Sequence, residues 1–265
     1  MARSALLNVM VNAALKAGRG LARDFGEVEN LQVSLKGPGN FVSAADHRAE
    51  DTLVNELRKA RPGYSFLTEE SGVIAGTDST NRWIVDPLDG TTNFLHGIPL
   101  FAVSLALERE GQLVAGVIFN PILNELYVAE RGQSAFLNDR RLRVAARKKL
   151  ADAVVATGMP NVGGKRHEAA IGELRPLMQQ TAGILRLGSA AMDLAWIASG
   201  RLDGYWDHGL APWDVAAGIV IVRESGGIVS EAGGGGDMLD AGSIVAGNEA
   251  IHGALVAILG GASRG

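Results

Sequence analysis

The sequence contains no cysteine. That excludes disulfides, thiolate metal sites and a cysteine nucleophile, and it fits a reducing compartment. Long apolar runs are missing too. The longest, Val215 to Val222, falls far short of the roughly 20 residues needed to cross a bilayer, so no membrane span is expected. Neither sign of charge is in large excess: the net charge of −4 gives no electrostatic reason to bind nucleic acid or an anionic membrane. A phosphorylated ligand would need local positive charge, which bound cations can supply. The first residues lack a signal-peptide core, and Arg3, Lys16, Arg19 and Arg23 are spread through an amphipathic pattern. They read as a first helix rather than a targeting segment, which makes a cytoplasmic location the expectation. Histidine is scarce: His47, His96, His167, His208 and His252 share no metal-ligand spacing.

What is present suits a soluble globular protein. Of the 265 residues 47% are hydrophobic, enough for a sizeable core. Leu6, Leu7, Met10, Ala13, Ala14, Ala17 and Leu21 recur at helical spacing and predict a helix from about Ser4 to Phe25. Lys36-Gly37-Pro38-Gly39-Asn40 reads as a turn that continues neither helix nor strand. Ser43 opens a second helix, with Asp46 where a capping-box acid would stand, and Arg61-Pro62-Gly63 ends it. From Trp83 to Phe136, short apolar or alternating runs predict a mostly antiparallel sheet. Asn138-Asp139-Arg140-Arg141 reads as a hairpin turn, and from Ala153 onward strands and helices alternate. The glycine run at Gly233 to Gly236 reads as a surface loop rather than a linker. The expected architecture is a single domain over 1–265, with an α+β half to about 150 and an α/β half after it.

The most informative stretch is Trp83-Ile84-Val85-Asp86-Pro87-Leu88-Asp89-Gly90-Thr91-Thr92-Asn93-Phe94. A buried strand ends and at once presents two acids, a glycine and two hydroxyls. The turn can aim Asp86 and Asp89 at one point, Gly90 permits close backbone approach, and Thr91 and Thr92 can begin a helix whose free N–H groups hold phosphate. Oxygen ligands without histidine or cysteine point to magnesium. An acidic turn with a helix cap is the competing reading. Glu69-Glu70 alone reads as a solvated turn; on an extended segment only one of the two would reach a given metal, and Glu69 is the choice. Asp214, in Ala211-Pro212-Trp213-Asp214, and Asp46 both stand in first helical turns, where the helix dipole alone would favour an acid.

Taken in order, Asp46, Glu69-Glu70, Asp86-Pro87-Leu88-Asp89-Gly90-Thr91 and Trp213-Asp214-Val215-Ala216-Ala217 resemble the inositol monophosphatase family of metal-dependent, typically lithium-sensitive phosphatases. Gly188-Ser189-Ala190-Ala191 and Asp203-Gly204-Tyr205-Trp206-Asp207 extend the resemblance over nearly the whole chain. It implies an α/β/α/β/α sandwich of the type shared with fructose-1,6-bisphosphatase, commonly as a homodimer; an apolar surface around Phe101 and Trp196 is the expected contact. It implies one magnesium on Glu69, Asp86, Thr91 and the carbonyl of Leu88, a second on Asp86, Asp89 and Asp214, and a third near Glu69 and Asp46. Activated water would attack phosphorus in line, oriented by Thr91, itself polarised by Glu69 or Glu70. Gly90 and Thr91 N–H groups would hold the phosphate, with Thr92 beside them. Gly188, Ser189, Ala190 and Asp207 would bind the hydroxyls of an inositol monophosphate. Inositol-binding members often carry glutamate at the Asp207 position, so this chain's acid is withdrawn by a methylene. Histidinol phosphate, fructose 1,6-bisphosphate and a 3′-phosphonucleotide are the alternative substrates, distinguished by Asp207 and the loop from Gly158 to Lys165. Lys36 stands where family members place a lysine near the site, and a solvated loop lysine is the alternative. Arg186 would hold the Gly188 loop or a dimer partner. Some bacterial members act in transcription complexes, so protein partners are open while direct nucleic-acid binding is not expected.

Overall fold

The computed structural model describes residues 3–27, 33–37, 40–160 and 164–262. In the first half α1 (Ala5–Phe25) leads into β1 (Val33–Gly37), β2 (Asn40–Ser43) and α2 (Ala44–Ala60). Then come β3 (Ser65–Thr68), β4 (Gly72–Ile74), β5 (Asn81–Asp89) and the one-turn α3 (Thr91–Leu95). Four hairpin-linked connections follow through β6 (Ala102–Arg109), β7 (Gln112–Asn120), β8 (Glu125–Glu130), β9 (Ala135–Leu137) and β10 (Arg140–Arg141). The second half runs β11 (Val154–Thr157), α4 (His167–Met178), β12 (Gly183–Leu185), α5 (Ala190–Ala198), β13 (Gly204–His208) and α6 (Pro212–Glu224). It ends with β14 (Ile228–Ser230), α7 (Met238–Ala241), β15 (Ser243–Gly247) and α8 (Glu249–Ala262).

Local chemistry explains the main boundaries. Ser4 caps α1 by accepting from the Leu7 N–H at 3.1 Å. Ser43 and Asp46 form a reciprocal capping box at the start of α2. Asn138 and Asp139, both at positive φ, make the tight turn between β9 and β10. The stretch from Lys36 to Asn40 departs from expectation, because β1 continues to Gly37 and pairs antiparallel with β2 from Asn40. Two residues separate the strands. Those two, Pro38 and Gly39, lie outside the described residues, as do the side chains of Lys36 and Asn40 and residues 161–163 of the loop after Gly158.

The large sheet has eight strands in the order β10-β9-β8-β7-β6-β5-β3-β4, antiparallel except where β3 and β5 run parallel. Alternation along β5 sends Trp83 and Val85 toward α1 and α2, and Ile84 toward α5 and α6. The second sheet has five strands, β12-β11-β13-β15-β14, and α4 and α8 cover its far face. The result is the expected α/β/α/β/α sandwich. Leu7, Met10, Leu53 and Leu57 are wholly buried in the first interface, each contributing about 1.5–3 kcal/mol.

The middle layer decides where the chemistry goes. α6 is apolar nearly all round, with Val215 to Val222 all buried, because a sheet lies on either side of it. It comes so close to the large sheet that a Cβ on Gly116 of β7 would stand 2.6 Å from the Ala217 carbonyl oxygen. Ser104 of β6 donates to the Trp213 carbonyl at 3.1 Å and fixes the helix start. The apolar dimer surface expected around Phe101 and Trp196 is not there. Phe101 is wholly buried against Phe25 and Phe94, and the Arg201 guanidinium lies over the Trp196 ring at 5.4 Å.

Candidate active site

At the end of β5 the ladder pairs Asp86 with Ser104 and Asp89 with Ala102, so the strand bulges at Pro87 and Leu88. Proline has no N–H to lose from the ladder, and the fully buried Leu88 side chain pins the bulge into the core. Asp86 and Asp89 are thereby turned to the same side. Asp214, in the first turn of α6, joins them from the second half of the chain: the three offer carboxylate oxygens all within 4.8 Å of one another. Each also ties one oxygen to the scaffold. Asp86 accepts from the Leu88 N–H at 2.9 Å and Asp214 from the Ala211 N–H at 2.7 Å. Asp89 accepts from the Ser189 hydroxyl at 2.5 Å and the Ala191 N–H at 2.7 Å.

Glu69 stands in the turn between β3 and β4, not on the extended segment expected, so the alternation argument that separated it from Glu70 does not apply there. Its carboxyl hydrogen-bonds Asp86, and its charge acts on Asp46, Asp89 and Asp214 as well. Asp46, wholly buried, accepts from the Ser43 N–H at 2.8 Å and hydroxyl at 2.6 Å through one oxygen. Its other oxygen faces the Thr91 hydroxyl at 3.1 Å, which also lies 3.1 Å from the Leu88 carbonyl oxygen. The acid partner of Thr91 is therefore Asp46, not Glu69 or Glu70. A helix cap with one oxygen to spare serves the hydroxyl better than a turn residue.

Burial dominates the electrostatics. It pushes Asp86 well above the ordinary aspartate range, with Glu69, Asp89 and Asp214 adding to the effect. Asp89 rises to about 6 and Asp214 to about 8, both chiefly through burial. Among the described residues no lysine or arginine forms an ion pair with any of the three. Their natural counter-charge is a hard cation, which the all-oxygen donor set fits.

Gly90 takes a left-handed φ of 94° to turn from β5 into α3, and no side chain caps that helix. Thr92, its second residue, is exposed. Beside the acids opens a cavity of about 420 Å³ lined by Asp89, Gly188, Ser189, Ala190, Asp207 and Asp214 among others. The Ser189 hydroxyl is already given to Asp89, as are the N–H groups of Ala190 and Ala191, so these groups steady the acid rather than wait for a ligand. Asp207 accepts from the Tyr205 hydroxyl at 2.8 Å and the His208 N–H at 2.7 Å. It retains lone pairs for a ligand. Arg186 is exposed at the rim.

Three further residues stand at the site. Glu50 of α2 accepts from the N–H groups of Glu70 and Ser71, each at 2.9 Å, and from the Ser71 hydroxyl at 2.5 Å, which fixes the turn carrying Glu69. Asn93 donates to the carbonyls of Leu100 and Leu187 and so holds the Gly188 loop against α3. Asp193 is buried in the cavity wall. Glu50 and Asp193 belong to none of the sequence motifs that point to the site, whereas Asn93 lies inside one.

Carboxylates that repel one another yet are held together beside a polar cavity need a cation, and the fold that holds them is that of a metal-dependent phosphatase. The chain belongs to the inositol monophosphatase family, whose model matches residues 2–263. It is 66% identical over 256 residues to the inositol-1-monophosphatase of Mesorhizobium japonicum, covering 97% of this chain and 96% of that protein. A crystal structure of the extragenic suppressor protein suhB from Bartonella henselae superposes with a TM-score of 0.95 at 58% identity, covering 97% of this chain and 98% of that one. The Nus factor SuhB of Escherichia coli K12 is 42% identical over 252 residues, 95% of this chain and 94% of that protein.

Proposed function

We propose that this phosphatase hydrolyses inositol 1-phosphate to inositol and phosphate with magnesium as its cofactor. The observation that carries the reading is the convergence of Asp86, Asp89 and Asp214 beside the cavity holding Asp207. The name of the Mesorhizobium relative supports the substrate. In this reading Glu69, Asp86, the Leu88 carbonyl, Asp89 and Asp214 hold the metal, with Asp46 near a weaker position. Bound there, magnesium supplies Lewis acidity that activates water and offsets charge on the phosphoryl group. The chain's own groups do the rest. Thr91 Oγ donates to Asp46 and accepts from the attacking water, which orients that water toward phosphorus. The N–H groups of Gly90 and Thr91, at an uncapped helix start, take the phosphate oxygens. Asp207 accepts from ring hydroxyls, and the Gly188 to Ala190 turn steadies Asp89. Glu70 holds the turn beside Glu69.

Lithium inhibition and a cytoplasmic location belong to the same proposal, as does a homodimer. The exposed side chains of Met159, Met178 and Leu185, which line one groove, support the dimer contact, and sedimentation at two protein concentrations tests it. Phosphate release decides the function itself. Inositol 1-phosphate, histidinol phosphate, fructose 1,6-bisphosphate and a 3′-phosphonucleotide are compared with magnesium and with EDTA. Magnesium-dependent release, fastest from inositol 1-phosphate, is the expected result. Faster release from another ester replaces the substrate and keeps the chemistry. No release from any of them overturns the reading and brings forward a protein-binding role in a transcription complex, which the Escherichia coli relative's name supports.

A further inference from the structure

Asp193 has no part in the mechanism above, yet it is a strange residue to find where it is. α5 is otherwise apolar from Ala190 to Ala198, and its neighbours Met192 and Leu194 are fully buried. Asp193 is itself only 2% exposed, and its Oδ1 has no hydrogen-bond partner. An acid in a first helical turn normally earns its place as a cap. Here Ser189 performs that task, accepting from the Met192 N–H at 3.3 Å. Two nearby hydroxyl donors are spent, that of Ser189 on Asp89 and that of Tyr205 on Asp207. Asp193 forms no ion pair among the described residues; burial and the charges of Asp89 and Asp207 oppose its ionisation, and the Arg186 charge at the rim offsets them only in part. A buried acceptor left without a donor costs stability, and an apolar side chain would pack there without that cost. What distinguishes the position is that it lines the same cavity as Asp89, Tyr205 and Asp207.

We propose that Asp193 is a specificity-determining residue: its side chain completes a hydrogen bond with a hydroxyl of the alcohol half of the substrate, alongside Asp207. The missing donor arrives with the ligand. The cavity then selects phosphate esters of polyhydroxylated alcohols, since an ester without hydroxyls leaves the Asp193 oxygen unsatisfied. This rests on the reading of the chain as a phosphatase of polyol phosphates. Substrate hydroxyls that pair with a site's buried polar groups are strong discriminators, because their absence leaves those groups unpaired.

The test compares Asp193→Asn and Asp193→Leu with the unaltered enzyme on inositol 1-phosphate and on 4-nitrophenyl phosphate, whose leaving group carries no second hydroxyl. Melting temperature without substrate is measured alongside. Loss of that hydrogen bond corresponds to a roughly tenfold rise in KM for inositol 1-phosphate in Asp193→Leu. A smaller rise is expected in Asp193→Asn, which keeps one acceptor. Cleavage of 4-nitrophenyl phosphate should change little, and neither variant should melt below the unaltered enzyme. Equal losses on both substrates, with a lowered melting temperature, would mean that Asp193 only supports the fold, and would overturn the proposal. Unchanged KM for both substrates overturns it as well. An unaltered enzyme that cleaves 4-nitrophenyl phosphate but not inositol 1-phosphate would sink the substrate reading, and this proposal with it.

Discussion

A carboxylate in water is an ordinary thing; buried and facing two others, it becomes a demand for a cation. Asp89 and Asp214, half-buried beside the buried Asp86, approach that description, each with one oxygen fixed by a backbone or hydroxyl donor. Asp89→Asn and Asp214→Asn preserve shape and remove one ligand charge apiece. Each is expected to lower kcat by roughly 100-fold or more, since a bound metal ion supplies several kcal/mol of charge stabilisation. Circular dichroism should show the fold intact, and near-normal turnover in magnesium would remove these residues from the ligand set. Asp86-Pro87-Leu88-Asp89 could be read from sequence because a proline-bearing bulge keeps both acids local to one turn. Glu50 could not, since its task is set by a hairpin 20 residues further on. The partner of Thr91 was misread for the same reason: Asp46 is 45 residues away and closes on it only through packing of α2.

Among elements, α6 carries the largest responsibility, because it brings Asp214 across to acids that belong to β5. Its apolar sequence and the proline at its start announced the helix. How near it approaches the sheet was written only in Gly116, a residue whose role depends on what lies opposite. Gly116→Val would drive two methyl groups toward the Ala217 backbone. Overpacking of this kind costs about 1–3 kcal/mol. The shift should also separate Asp214 from Asp86 and Asp89, raising the magnesium concentration needed for half-maximal activity. A variant that melts lower but keeps its magnesium dependence would uncouple the helix position from the site. The short strands β3, β4, β12 and β14 had too few residues to show a period, so they became visible only as neighbours in a sheet.

At the scale of the whole molecule, the metal site is a brake on stability that the ion releases. Burial raises Asp89 to about 6 and Asp214 to about 8 from an ordinary 3.8. An acid with a raised folded pKa holds its proton more tightly in the folded chain. Its contribution is therefore present at low pH and lost as pH climbs through the folded value. Without metal, this site should make melting temperature fall between about pH 4 and pH 8. Magnesium competes with those protons, so its stabilising effect should be larger near pH 8 than near pH 5, about 2.7 kcal/mol at a free concentration 100 times Kd. Calorimetry in EDTA and in magnesium at both pH values measures the difference; equal effects would argue against the ion sitting on these acids. The layered architecture was legible from the change of pattern near residue 150. The way the halves share one site was not, since it needs α6 wedged between two sheets. That sharing has a consequence for descent. Asp46, Glu69, Asp86, Asp89 and Thr91 come from one side of the seam, whereas Ser189, Asp193 and Asp207 come from the other. Mutation can rewrite which alcohol is accepted on one bank while the hydrolytic machinery, Asp214 of α6 excepted, is inherited untouched on the opposite one.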